Sequence, residues 1–568
     1  MTPDKKPFYA ATYIPREARF GRPGMLDLIP QIRQIWSQRR DEVLQSADRI
    51  TQSLQQLGTA EPGDAPGRDE MRAADRALRE RYDPRHGGFG SAPKFPTPHN
   101  YLFLLRRWRR TGEREALDMV THSLRAMARS GTFDQLGFGF HRYATDREWK
   151  VPHFEKMLYD QALLLMAYVE TFQATGNDAF ATVARRIGTY VLRDLASADG
   201  GFYSAENAES EGEEGRFYLW RTAEIETVLG EEDAALAADV YGLKPQGNFV
   251  DAAGGANVLH RSRSLEKLAR QRNSTREELA RRLETIRSGL AAAREQRVRP
   301  SLDDKILTDW NGLMIAALAK AARVLDEPDY TRAAEEAAAF ILDRMRDEDG
   351  GLLHRYRRGR VGIHAHADDY AFLVWGLLEL YETTFDAAHL RAAVDLQATM
   401  NEHFWDAENG GFYFTSDRGE ALPVRRKELY DGALPSGNSV AMSNLLRLGR
   451  LTAEAGHEQK AAALGRAFAP SVRQAPHAYT MLLVAVDFAL GPAREVVIAQ
   501  GGDDPGTGRM LQALRGIYAP DKVVLLRPPG ESPPIVGLAP FTAGQTARDG
   551  KATAYVCRDY ACEAPTTD

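Results

Sequence analysis

The sequence predicts a mainly α-helical chain built around an (α/α)6 toroid, with a small α/β segment after it. Three observations predict this. A polar, often glycine-bearing punctuation recurs six times between residues 68 and 490. An amphipathic helix leads into each recurrence and a more apolar helix follows it. The flanking segments, 1–57 and 491–568, change character where the recurrence stops.

Residues 1–57 open with a stretch at 8–14 that reads as a strand. A helix near 25–57 follows, with Leu28, Ile32, Ile35 and Trp36 on one face. Residues 58–67 are a Gly/Pro/acidic linker that cannot pack a core, which puts a domain boundary there. In the toroid, 68–490, the exits include Asp83-Pro84-Arg85-His86-Gly87-Gly88-Phe89, Asp199-Gly200-Gly201-Phe202, Asp349-Gly350-Gly351-Leu352 and the stretch 406–413. Gly131-Thr132-Phe133-Asp134-Gln135-Leu136-Gly137 and Arg299-Pro300-Ser301-Leu302-Asp303-Asp304 take the same place in the other two units. Outer helices are expected near 69–82, 113–130, 178–196, 274–296, 329–346 and 387–404. Inner ones are expected near 98–111, 156–175, 222–242, 308–325, 368–385 and 437–455. In 491–568, residues 495–499 and 522–526 read as buried strands around a helix at 509–518, with a third strand at 552–557.

Composition narrows the function. The chain has 568 residues and a mass of 63.1 kDa, more than one ordinary domain. A net charge of -6 argues against a nucleic-acid partner, which would draw a basic surplus. No apolar run approaches the ~18 residues a membrane span needs, and residues 1–6 hold no signal core. A cytoplasmic location without a membrane partner is therefore expected. The two cysteines, Cys557 and Cys562, are expected to be reduced.

The polar motifs all precede inner helices, so they should face one mouth, made electropositive by converging helix N-termini. There carboxylates and polyhydroxylated ligands are stabilised. The densest motif spans 141–160. Within it Glu155 and Tyr159, and Lys156 and Asp160, stand one helical turn apart. Candidate catalytic groups are His141 and His153, as acids or bases, with Asp134, Asp304 and Asp369 as carboxyl partners. Trp149, Tyr159 and Trp310 are candidate stacking faces, and Lys94, Arg142 and Asn438 candidate donors. Gln135, Glu155, Lys156, Asp160, Glu206, Asp303, Lys305, Asn311, Asp368, Tyr370 and Ser436 complete the candidate ligand-binding set. The same Asp, Ser and Asn residues also suit helix caps. His364-Ala365-His366-Ala367-Asp368-Asp369 resembles a metal cluster, but it precedes a helix and no other strong ligand group is evident, so no metal is expected. The glycine-rich stretch 501–508 lacks a phosphate-loop ending. No cofactor is expected.

The strings Gly87-Gly88-Phe89-Gly90-Ser91-Ala92-Pro93-Lys94-Phe95-Pro96, Val151-Pro152-His153-Phe154-Glu155-Lys156-Met157-Leu158-Tyr159-Asp160, Leu302-Asp303-Asp304-Lys305, Asp368-Asp369-Tyr370 and Leu434-Pro435-Ser436-Gly437-Asn438 are distinctive. In them the chain resembles the thioredoxin-domain-containing proteins of the spermatogenesis-associated protein 20 type. The resemblance implies a thioredoxin-like domain followed by a six-hairpin, glycosidase-like toroid, similar to those of sugar 2-epimerases and unsaturated-glucuronide hydrolases. It also implies that 1–57 corresponds to the last strands and final helix of the thioredoxin-like part, either packed on the toroid or loosely ordered. The family's cysteine-containing stretch has no counterpart here, so thiol–disulfide activity is not expected. Glu206-Asn207-Ala208-Glu209 departs from the family's Glu-Asp-Ala-Asp, which puts a role for that segment in doubt. The expected function is carbohydrate epimerisation or hydrolysis on a small-molecule ligand. The alternative is a non-catalytic sugar- or protein-binding module. Oligomeric state is not legible.

Overall fold

The computed structural model describes residues 1–19, 21–56, 62–249, 255–261, 263–502 and 505–568. The N-terminal segment holds two helices, α1 (Met25–Gln38) and α2 (Arg40–Gln56), separated at Arg39 where one was expected. Residues 8–14 form no strand: a strand needs a neighbour for its ladder, and among the described residues none pairs with them. Instead Phe8 stacks on Trp36 at 6.1 Å, and Lys5 reaches Glu420 at 2.6 Å. Part of the expected linker, 58–61, lies outside the described residues. Its continuation docks on the toroid, with Gly63 N donating to Arg466 O at 2.9 Å.

The toroid begins with α3 (Arg68–Arg81), α4 (Pro98–Thr111), α5 (Arg114–Arg129), α6 (Leu158–Thr175) and α7 (Asp178–Tyr190). An insertion follows: α8 (Thr222–Leu229), α9 (Glu231–Tyr241), α10 (Leu265–Gln271) and α11 (Arg276–Arg294). The toroid resumes with α12 (Thr308–Leu325), α13 (Pro328–Arg344), α14 (Ala367–Thr384), α15 (Ala387–His403), α16 (Gly437–Thr452), α17 (Ala455–Gln474) and α18 (Thr480–Ala489).

Six helices close an inner ring in the order α4, α6, α12, α14, α16, α18, and α18 packs back on α4. The outer helices α5, α7, α13, α15 and α17 lie against α4, α6, α12, α14 and α16, and α3 lies against α18. Inner helices are buried nearly all round; every residue from Leu158 to Thr171 is buried.

The number six holds, but one member differs from expectation. The stretch 222–242 is broken at Gly230 (φ 78) and belongs to the insertion. With α11, the expected outer helix at 274–296, it builds a separate core from Trp220, Ile225, Leu236, Leu268 and Ile286. The sixth inner helix is α18, only 10 residues but apolar throughout most of its length. Apolar burial on all sides selects an inner position, and α9, with Glu231, Glu232 and Asp233 in its first turn, cannot meet that demand.

The C-terminal segment is a four-stranded sheet. Strand Arg494–Ala499 pairs in parallel with Lys522–Arg527 and antiparallel with Thr553–Arg558, which pairs with Ala561–Cys562. Helix α19 (Gly506–Gly516) makes the crossover, and α20 (Pro534–Leu538) follows the second strand. Cys557 and Cys562 face each other across the last pair and form a disulfide, contrary to the reduced state expected. The glycine-rich stretch before α19 includes residues 503 and 504, which lie outside the described residues.

The C-terminal segment covers the end of the ring where the inner helices finish. Tyr518 Oη donates to Glu170 at 3.3 Å, and Gln173 donates to Arg515 O at 2.7 Å. A cavity of about 130 Å³ lies beneath it. There Glu170 pairs with Arg106 and Lys320, and Glu379 and Glu382 with Arg447. The opposite end, where the inner helices start, is the mouth. No helix among the described residues is long and apolar enough to cross a membrane.

Candidate functional site

The exits use two recurring devices. The first is a buried ion pair. Asp83 meets Lys94 at 2.9 Å, Asp134 meets Lys156 at 2.9 Å, and Asp406 meets Lys427 at 2.6 Å. In each case the aspartate N–H also closes the loop on a glycine carbonyl, of Gly88, Gly139 or Gly411. Gly88 must be glycine: at φ +74, a Cβ would sit 2.5 Å from the Trp149 ring. The second device is a latch from the inner helix to the exit's apolar residue. Gln161 accepts from Phe140 N and donates to Phe140 O, both at 2.7 Å. Asn311 does the same to Phe202 (2.7 and 3.0 Å), and Asn438 to Phe412 (2.8 and 2.9 Å). Tyr370 Oη accepts from Leu352 N at 2.9 Å.

These devices account for many of the residues singled out in the sequence. Asp134 is fully enclosed; Arg294 holds both its oxygens at 2.9 Å and keeps its carboxyl, despite burial, well below the usual range. Lys94, Lys156, Asn311, Tyr370 and Asn438 are partners in the pairs and latches. Gln135 donates to Ala128 O and Ser130 O, Trp149 to His86 O, and Ser436 caps α16. Glu206 accepts from Tyr190 Oη at 2.7 Å. His141 is buried against Tyr218 and donates from Nδ1 to Phe154 O at 2.9 Å; burial, then the Lys156 charge, push it down to about 3. Asp303 pairs with Lys305, and Asp304 turns outward to Arg357 and Arg358. Each of these side chains already has a partner within the protein, and Asp303 and Lys305 keep about a third of their surface exposed.

What remains forms an arc across the starts of α6, α12 and α14. The second, third and fourth residues of these helices correspond: Tyr159, Asp309 and Asp368; Asp160, Trp310 and Asp369; Gln161, Asn311 and Tyr370. The fourth set makes the latches, so the second and third are presented in register. Tyr159 meets Trp310 edge to face at 4.8 Å. Half-buried Arg142 stands beside Tyr159 and pairs with Glu155 at 3.1 Å; His153 joins Glu155 and Glu214 at the rim.

Asp369 is the anchor of the arc. Its carboxylate accepts from His354 Nδ1 (2.9 Å), His366 N (2.7 Å) and Asp309 N (3.0 Å). Burial opposes its charge, yet these donors hold it below the ordinary value. Burial also opposes the charge on His354, but Asp369 beside it and Asp309 behind it raise it to about 9. Asp309 behaves oppositely: burial, then the charge of Asp369, raise it to about 7. Asp368 accepts from Gly437 N at 2.9 Å, while burial and the charges of Asp309, Asp369 and Glu428 raise it to about 8. Asp160 is raised well above the usual range by burial, and its Oδ2 has no hydrogen-bond partner. The electropositive helix starts were expected to favour ionised carboxylates here; burial and mutual repulsion outweigh them. Asp309, His354 and Asp368 are only half-buried, so solvent reaches them.

Asp309 and His354 escaped the sequence reading. Asp309 could have been found by aligning inner helices on their latch residues. His354 lies on strand Leu353–Arg357, and no local pattern marks it. His354, His366 and Asp369 bring ligand-type atoms within 4.8 Å of one another, the spacing of a divalent-metal site. Both Asp369 oxygens also accept N–H donors, from His354, His366 and Asp309.

A family model for a DsbH-type thioredoxin, described as "Protein of unknown function, DUF255", matches residues 1–55. Human spermatogenesis-associated protein 20 is 36% identical over 608 aligned residues, covering 100% of this chain and 77% of its own length. The mouse protein is 35% identical with the same coverage. Among solved structures, the chain aligns with a cellobiose 2-epimerase from Spirochaeta thermophila (TM-score 0.43, 14% identity, 71% of this chain and 84% of that one). It also aligns with a GH76 alpha-mannanase from Bacteroides thetaiotaomicron (TM-score 0.46, 10% identity, 74% and 96%).

Proposed function

The chain belongs to the spermatogenesis-associated protein 20 family, and from that premise we propose that its toroid mouth is an acid–base site acting on a carbohydrate. The observation that carries this reading is that Asp309 and Asp368 hold the same position at the starts of neighbouring inner helices, close enough for the charge of one to raise the other's proton affinity. Both are half-buried, and burial with neighbouring negative charge raises the proton affinity of each. Such a pair, with its members shifted toward working pH, is what proton transfer in both directions needs. Asp368, the more strongly raised of the two, gives a proton to a sugar oxygen; Asp309 takes one from carbon or water. The ionised Asp369–His354 pair fixes Asp309 through its backbone N–H and sets its proton affinity. Trp310 and Tyr159 offer aromatic faces to sugar C–H surfaces, and Arg142 a forked donor to hydroxyl or carboxylate groups.

A thermal-shift screen against mono- and oligosaccharides and uronic acids identifies the ligand class; saturation at 100 times Kd adds about 2.7 kcal/mol. With the responding sugar as substrate, Asp368→Asn and Asp309→Asn should each lower turnover about 100-fold or more, with the fold intact. Full turnover by both variants would rule the assignment out. A protein-binding role has one observation in its favour: Tyr13, Leu26 and Ile29 lie 67%, 56% and 55% exposed on the N-terminal segment. Loss of a partner on changing these residues to Ser, with sugar binding unaffected, would assign that role to this segment alone.

A further inference from the structure

A second cavity, of about 430 Å³, lies on the flank of the toroid between outer helices α5 and α7 and the insertion helices α9 to α11. Its lining holds seven arginines and two glutamates. Three of the arginines have carboxylate partners: Arg287 pairs with Glu284 at 2.6 Å, Arg276 with Glu266 at 3.1 Å, and Arg263 with Asp239 at 3.7 Å. The other four, Arg125, Arg129, Arg186 and Arg261, make no salt bridge among the described residues.

Two of these four are set back in the cleft. Arg186 and Arg261 are both half-buried, from α7 and from the loop before α10. Nε of Arg261 is shielded from solvent and has no acceptor. Arg186 and Arg287 lie over the ring of Phe138, with guanidinium carbons 5.0 and 4.9 Å from its centre. The ring orients both guanidinium groups; Arg287 donates to Glu284 and to Leu136 O, whereas Arg186 has no hydrogen-bond acceptor among the described residues and keeps its N–H edges for one. Burial, then the charge of Arg261, push Arg186 down to about 10, and the opposing charge of Glu284 in the same cleft offsets them only in part.

Like charges brought together in a partly desolvated cleft repel, and folding gains nothing from keeping them there. Guanidinium groups are also the side chains best matched to phosphate, through paired N–H donors. The volume falls within the ~300–1,000 Å³ range of small-molecule pockets. We infer that this flank cleft is a binding site for a small phosphate-bearing anion, held by Arg186 and Arg261 with Arg287 alongside. The site is separate from the mouth and its occupancy does not depend on any reaction there. Because the cleft joins the toroid to the insertion, a bound anion would also tie the two together.

The test is calorimetric titration of the full chain with inorganic pyrophosphate and glucose 6-phosphate, and with glucose as the neutral control. Binding of at least one phosphate compound, weakening as salt rises and absent for glucose, is expected. The Arg186→Gln/Arg261→Gln double variant should bind at least tenfold more weakly, and should melt no lower than the parent without ligand, since it removes repulsion. Should that variant fold poorly, Arg186→Lys serves instead; it keeps the charge, loses the forked donor, and should still weaken binding severalfold. No heat and no melting shift at millimolar phosphate compounds would overturn the inference, as would unchanged affinity in the folded variants or equal binding of glucose.

Discussion

At the exits each buried aspartate meets a lysine: Asp83 and Lys94, Asp134 and Lys156, Asp406 and Lys427. At the starts of α12 and α14, Asp309 and Asp368 meet other carboxylates instead, and their charge is suppressed rather than paired. Both regions border one mouth and use one residue type. The exits recur because each hairpin must be tied to the next, and a paired, enclosed aspartate serves that end. The arc does not recur. Its carboxyls are left in mutual repulsion, a cost to stability of the kind found where proton transfer is needed.

This contrast can be broken at its structural side first. Asn311→Leu strips the latch from Phe202 N and O and from Leu307 O, all buried, and should cost about 2–4 kcal/mol in urea titration. Lys156→Met leaves Asp134 with Arg294 and the backbone N–H groups of Leu136 and Gly137, and should lower unfolding free energy by about 1–3 kcal/mol in the same titration. A loss below 1 kcal/mol would mean that the exit pairs do not hold the ring together.

The arc should answer with the opposite sign. A carboxyl whose folded pKa lies above its unfolded value binds its proton more tightly when folded. The folded state therefore loses stability as pH rises from about 4 through the folded values of about 7 and 8. Asp309→Asn and Asp368→Asn remove that loss. Each should gain about 1–3 kcal/mol at pH 9 and nothing at pH 4, read from melting curves across pH. Destabilisation at pH 9 would make these aspartates structural, like those of the exits. His354 is the smaller, converse case. Its folded pKa is raised to about 9, so its contribution is full below the unfolded value near 6.5 and is lost as pH rises through 9. His354→Gln should cost about 1–2 kcal/mol at pH 6 and close to nothing at pH 10 or above. A cost that does not vary with pH would show that packing, not its charge, is what His354 supplies.

The arc was only partly legible beforehand. Tyr159, Asp160, Trp310, Asp368 and Asp369 stood out as polar or aromatic groups at helix starts, and Arg142 and Glu155 in the dense 141–160 motif. Lys94, Asp134 and Lys156 stood out for the same reason and proved to be one another's counterparts in the exit pairs or, for Lys94, that of Asp83. A sequence displays charge but not its partner, which here comes from 11 residues away for Asp83–Lys94 and 160 for Asp134–Arg294.

By itself the sequence determined the helical architecture, the number of inner helices and the polar character of their starts. These follow from hydrophobic period, glycine punctuation and capping chemistry, all of which act within a few residues along the chain. Only the tertiary structure decided which helix closes the ring, α18 rather than 222–242, because closure depends on which segment is apolar on every side once its neighbours are in place. It also decided that Asp309, Asp368, Asp369 and His354 share one site. Their proton affinities arise from burial and from each other's charge, and both exist only after the ring has closed.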